Sequence, residues 1–274
     1  MAARFAVGEI SPMLLTFLRW LGISILLFGF TNARISKELP IIRQYFVYFF
    51  LMGTLGFTLF NVLLFLAAHF TTALNIGILQ GGMPVFVLIG SYFVYQNSIT
   101  LVQLVGVSLA VIGVILVTAG GDLVALRSMN FNGGDILMLG ACGMYAAYAV
   151  FLRGRPKISG LSMFAIMAAA ATLASVPFVI WEWVSDDTIW PTLVGWSVVL
   201  FVIMFPSFIA QLFFLRGVEL VGPGRAGLFI NLVPIFAAIF SVLILGEIFE
   251  WFHATALILV LSGIYLFENL RQSP

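Results

Sequence analysis

Long apolar runs, each about the length of a bilayer crossing and separated by short polar connectors, recur from one end of the chain to the other. A membrane helix needs about 20 mostly apolar residues. Runs near 12–30, 44–67, 73–95, 101–119, 135–153, 159–182, 194–215, 225–245 and 253–269 meet that length and predict nine complete spans. Residues 1–7 read as the tail of a further span. The opening does not read as a secretory leader. The run Met13–Phe30 follows Glu9 and Pro12, contains Arg19, and has no small-residue cleavage site after it.

The runs repeat internally. At an offset of 150 residues Pro84 falls on Pro234, Gly77 on Gly227, Gly113 on Gly263, and the amide Asn61 on the amide Gln211. The same offset carries the span 135–153 almost wholly in front of Met1, so the first repeat is expected to lack most of one helix. The predicted fold is an all-α polytopic membrane protein. It is an inverted five-plus-five helix repeat with most of the first helix missing, giving nine complete spans plus a fragment. An odd number of helices per repeat makes the second copy insert upside down, a plan that recurs in transporters. The expected boundaries are 1–122 for the first repeat, 133–270 for the second, and 123–132 for an external linker.

Composition removes the soluble alternatives. The chain is 62% hydrophobic and 8% charged, against about 25% charged in ordinary globular domains. A net charge of +1 gives no footing for nucleic acid. The charges do set an orientation. With the C-terminus inside, nine of the 12 Lys and Arg residues lie on inner segments, two on outer segments, and Arg19 within a span. That is the positive-inside pattern. A single cysteine, Cys142, excludes an internal disulfide and a cysteine-cluster metal site. No phosphate loop, dinucleotide fingerprint, zincin motif or nucleophile elbow occurs, so no enzyme is expected.

The candidate chemistry lies within the spans. A proline inside a membrane helix removes a backbone donor. The carbonyl it frees must then face protein or a water-lined cavity rather than lipid. Pro84 and Pro234 occupy equivalent places in the two repeats, with the amides Gln80 and Asn231 one turn before them, the arrangement that marks a central transport site. Interhelical hydrogen bonding is the structural alternative for these amides and for the pair Asn61 and Gln211. Arg19 is the base deepest in a span, about 10 Å along the helix from its outer end. It is expected to snorkel outward, to pair with Glu9, or to anchor a substrate carboxylate. Tyr145 and Tyr148 share one helical face, and Trp20, Phe57 and Phe208 are candidates for an aromatic wall with them. Trp181, Trp183, Trp190 and Trp196 read as an interfacial belt. His69 and His253 are placed at span ends, and no carboxylate is expected at mid-span.

The run RAGLFINLVPIFAAIFSVLILGE followed by HATALILVLSGIYL resembles the last two helices of the EamA-type drug/metabolite transporters. Asn231-Leu232-Val233-Pro234 and Leu245-Gly246-Glu247 carry the likeness. SPMLLTFLRW resembles the family's second helix, with Arg19 at its recurrent arginine, and GGDILMLGACGMYAAYAVFLR resembles the start of the second unit. The resemblance implies a ten-helix inner-membrane carrier of the kind that exports amino acids, other metabolites or toxic compounds. Three features depart from the family. The chain begins inside the first helix, Tyr95-Gln96-Asn97 stands where the first repeat would have Leu-Gly-Glu, and no intramembrane acid like that of the small multidrug members occurs. The expected function is export of small metabolites, amino acids or amphipathic and toxic compounds, by alternating access, across a bacterial-type inner membrane with the C-terminus cytoplasmic. A non-transporting scaffold or assembly protein is the alternative. A small-molecule substrate and the lipid bilayer are the expected partners, without nucleic acid, for a monomer or weak dimer. Neither cofactor nor metal is expected.

Overall fold

The structure, a computed structural model, describes residues 2–96, 100–118, 121, 132–221 and 233–269. Every regular element among the described residues is helical. After a short turn of helix at Ala2–Phe5, α1 spans Pro12–Gln44. α2 runs Phe46–Phe70 and α3 spans Ala73–Gln80. α4 is Met83–Tyr95, α5 is Leu101–Thr118 and α6 is Gly133–Phe151. α7 covers Gly160–Val184. α8 joins Leu193–Val202, Ile203–Ile209 and Ala210–Val221. α9 is Val233–Leu245 and α10 is Trp251–Asn269. Six stretches are long and apolar enough to cross a membrane, and three shorter apolar helices join them. Each of the nine runs read from the sequence holds one of these helices, six of them at spanning length; residues 225–232 of the eighth run lie outside the described residues. The linker 123–132 lies almost wholly outside the described residues.

Three local features depart from straight spans. α1 extends past the expected end near residue 30 to Gln44. The added turns are amphipathic: Thr31, Ile35 and Ile42 are buried, while Asn32, Arg34 and Lys37 are exposed. Second, the run 73–95 breaks at Gly81-Gly82, where the two amides reach back to the Ile78 and Leu79 carbonyls at 2.9 and 3.0 Å. Pro84 stands in the first turn of α4, where its missing N–H has no intrahelical partner to lose. Third, α2 and α8 each widen into a π-helix, at Thr54–Leu59 and Ile203–Ile209. An offset of 150 carries the first of these onto 204–209, so the two irregular segments occupy equivalent places.

The described residues form two compact units, one drawn from 2–65 and 151–221, the other from 66–150 and 233–269. Each takes segments from both halves of the chain. In the first unit α1 and α7 run antiparallel and cap each other. The Glu182 carboxylate near the end of α7 accepts from Ser11 Oγ at 2.6 Å and from the Met13 and Leu14 amides at 3.1 and 3.0 Å. Glu38, late in α1, accepts from the Ser159 amide at 2.9 Å. Each acid thereby lies at the positive end of the other helix, where a carboxylate is stabilising. Leu15, Ile23, Phe49 and Met167 form part of the buried core there.

In the second unit α5 and α10 pair through Gly113 and Gly263. A Cβ on Gly113 would lie 2.8 Å from Val260 Cγ2 and 2.9 Å from the Ala256 carbonyl, while Gly263 backs onto Gly106 and Ala110. That register is antiparallel. Leu74, Ile78, Val117, Ala256 and Val260 close the core around it. Glu247 accepts from the Ala73 and Leu74 amides, both at 2.9 Å, and so caps α3.

Candidate functional site

Within the first unit, α1 carries Arg19 between the two π-helices. Pro206 sets up one side. It has no N–H to offer the Val202 carbonyl, and the hydroxyl of the next residue, Ser207, donates to that carbonyl at 2.7 Å. The Ser207 oxygen keeps lone pairs and accepts from Arg19 Nε at 2.8 Å. The other side is built from α2. The Phe57 carbonyl accepts from Asn61 Nδ2 at 2.5 Å and from Trp20 Nε1 at 3.2 Å. This fixes the Asn61 amide so that its Oδ1 accepts from Arg19 Nη1 at 2.6 Å. Phe57 and Ser207 are equivalent positions at the 150-residue offset, and both lie in π-helical turns.

The surroundings are apolar and tight. Trp20 and Phe57 stack with ring centroids 4.4 Å apart and planes 8° from parallel. Phe164 meets Phe57 edge-on at 5.9 Å, and the Arg19 guanidinium carbon lies 5.0 Å from the Trp20 ring centre. Asn61 is 2% and Ser207 3% exposed, whereas Arg19 is half-buried. A cation near mid-bilayer costs about 2.5–3.5 kcal/mol or more. Hydrogen bonds to a charged group return about 1.5–3 kcal/mol each. Two such bonds are of the size needed to hold Arg19 in place, yet both partners are neutral.

Three acids of this unit, Glu9, Glu38 and Glu182, are engaged elsewhere. Glu9, the partner considered from the sequence, accepts from the Thr192 hydroxyl. Glu38 and Glu182 cap helices. Among the described residues Arg19 has no ion pair. Its Nη2 and one Nη1 proton have no hydrogen-bond partner among them either, out of the five donors a guanidinium carries.

Other residues singled out from the sequence are placed as follows. Gln80 is half-buried at the end of α3, next to the Gly-Gly break. Pro84 and Pro234 lie in the first turns of α4 and α9. Asn231 lies outside the described residues. Tyr145 and Tyr148 stand side by side on α6, in the second unit, with ring centroids 5.4 Å apart. Gln211 is half-buried on α8. Phe208 pairs with Phe30 rather than with the Trp20 stack. Trp181, Trp183, Trp190 and Trp196 are exposed. His69 is exposed too, while His253 is buried and meets Asn75 at 3.3 Å. Asp135 is buried at the start of α6 and accepts from Thr71 Oγ1 at 2.5 Å.

Ser207 was not singled out from the sequence. The signal was present in Pro206-Ser207: a freed carbonyl four residues before the proline, and a hydroxyl one residue after it, placed to satisfy it.

The EamA-like transporter family model matches residues 1–119 and 132–268. The uncharacterized transporter YetK of Bacillus subtilis (strain 168) is 28% identical over 242 residues, covering 88% of this chain and 73% of that protein. YyaM, a second uncharacterized transporter of that organism, is 25% identical, covering 99% of this chain and 89% of its own. An uncharacterized transporter of Archaeoglobus fulgidus is 26% identical, with 96% and 90% covered. One crystal structure superposes with a TM-score of 0.67 at 17% identity, over 99% of this chain and 92% of its own, which places the fold. The chain is a multi-pass membrane protein and belongs to the EamA-like transporter family.

Proposed function

We propose that this protein is an inner-membrane carrier that exports small metabolites, amino acids or amphipathic and toxic compounds, by alternating access. The observation that carries the reading is Arg19 held between two π-helical turns within apolar spans. Irregular backbone at membrane depth is tolerated where protein or water covers it, and π-turns recur at functional sites. The Gly-Gly break after Gln80 is a third interruption of that kind. Antiparallel pairing of equivalent helices within each unit supports two repeats inserted in opposite senses, with boundaries 1–122 and 133–270. The excess of Lys and Arg on one set of connectors supports a cytoplasmic C-terminus. Gln80, Pro84, Tyr145, Tyr148, Gln211, Asn231 and Pro234 join Arg19 and Asn61 as substrate-contacting candidates.

The test is flux into and out of liposomes holding the purified chain, with radiolabelled phenylalanine and threonine and with ethidium as probes. Protein-dependent movement of any one of them supports the carrier. No movement under a proton or potassium gradient in either direction leaves a membrane scaffold in its place. Asn231→Leu, placed from the sequence, is expected to lower flux about tenfold, the loss of roughly 1.4 kcal/mol, with the yield of folded protein unchanged. Normal flux in that variant returns Asn231 to helix packing.

A further inference from the structure

We infer that the free edge of the Arg19 guanidinium is an oxyanion dock, and that the solutes this protein takes are small monoanions, carboxylates first. The inference rests on the carrier reading and narrows its substrate. Three observations lead to it. The cation is half-buried about 10 Å along α1 from the helix start. Both of its hydrogen-bond partners are neutral, and each is oriented by a second bond to a π-helical or adjoining carbonyl. Glu9, Glu38 and Glu182, three acids of the same unit, are bound elsewhere. The protein thus positions a guanidinium with care and leaves its charge uncompensated among the described residues.

Stability alone does not call for a charge at this point. A neutral donor such as glutamine would satisfy Asn61 Oδ1 at lower desolvation cost. A fixed guanidinium fork matches a carboxylate in shape as well as charge. One cation without a neighbouring base favours one negative charge over two. The side chain reaches toward Asn61 and Ser207, which are 2% and 3% exposed, and so toward the interior of its unit rather than to a lipid headgroup.

Binding is separable from transport. The full chain, purified in a non-ionic detergent, is heated with benzoate, benzamide or benzylamine, three probes of similar shape that differ in charge. A ligand of the folded state raises the melting temperature by mass action. Benzoate is expected to raise it, with the amide and the amine giving no shift. Arg19→Gln is expected to abolish the response. Asn61→Asp supplies a permanent carboxylate to Arg19 in a new ion pair. It is expected to fold and to raise the benzoate concentration for half-maximal stabilisation about tenfold or more, a factor worth roughly 1.4 kcal/mol.

Equal shifts with benzamide, an undiminished response in Asn61→Asp, or no benzoate response in the wild type would each overturn the dock. A response abolished by stoichiometric phosphatidylglycerol assigns the edge to lipid phosphate and overturns the solute reading. Benzoate binding without flux in liposomes sinks the carrier and leaves the dock standing. Flux of ethidium without benzoate binding does the reverse.

Discussion

Single residues in this protein matter through the donors and acceptors they complete. Glu182 shows this at a helix start. Its carboxylate, buried at 5% exposure, satisfies the Ser11 hydroxyl and two amides that α1 cannot satisfy internally. Glu182→Ala is expected to cost about 2–4 kcal/mol, since each buried donor left open costs about 1–3 kcal/mol. The readout is a lower melting temperature in detergent with unchanged helix content before the transition. Arg19 was legible in the sequence as a charge in the wrong solvent, because such a residue violates the apolar pattern. Its partners were only half legible. Asn61 was singled out as a buried amide, but nothing in apolar spacing says that Ser207, 188 residues away from Arg19, meets it.

At the scale of the element, the irregular turns carry the chemistry. Pro206 denies Val202 its helical donor, and Ser207 takes that role at the edge of the site. Pro206→Ala restores the missing N–H. A proline in a helix interior costs about 3 kcal/mol or more, so this variant is expected to be more stable, by about 1–3 kcal/mol after strain is relieved. It is also expected to respond less to benzoate, as the regular helix draws the Ser207 oxygen from Arg19. A thermal melt with and without the probe reads both effects. Element number and type were legible almost throughout, because a run of some 20 apolar residues has few other solutions. The π-turns were not. Hydrophobic periodicity is nearly blind to one extra residue in a span that is apolar on all sides, and the extension of α1 to Gln44 was hidden by its polar exposed face.

The whole molecule is organised by pairing rather than by sequence order. Each compact unit draws on both halves of the chain, and the antiparallel seam of α5 with α10 depends on Gly113 and Gly263. Gly113→Val forces two methyl groups against Val260 and the Ala256 carbonyl. Overpacking of this kind costs about 1–3 kcal/mol, and the expected result is a lowered melting temperature partly restored by Val260→Ala. Neither half of the chain alone contains a complete unit. Co-expressed fragments 1–122 and 133–274 are expected to co-purify, whereas each expressed singly is expected to be degraded. Recovery of either fragment as a stable monodisperse species would count against this account.

At the 150-residue offset the two halves of the chain agree at the π-turns, at Gly113 and Gly263 and at Pro84 and Pro234, but not at the guanidinium. The offset that takes Phe57 to Ser207 takes Arg19 to Ala169. The charge is therefore presented from one half of the chain only, and a monoanion arriving there has a head and a tail from the moment it lands. Reversing the protein in the bilayer would not reproduce the same complex, so influx and efflux of one compound should saturate at different concentrations.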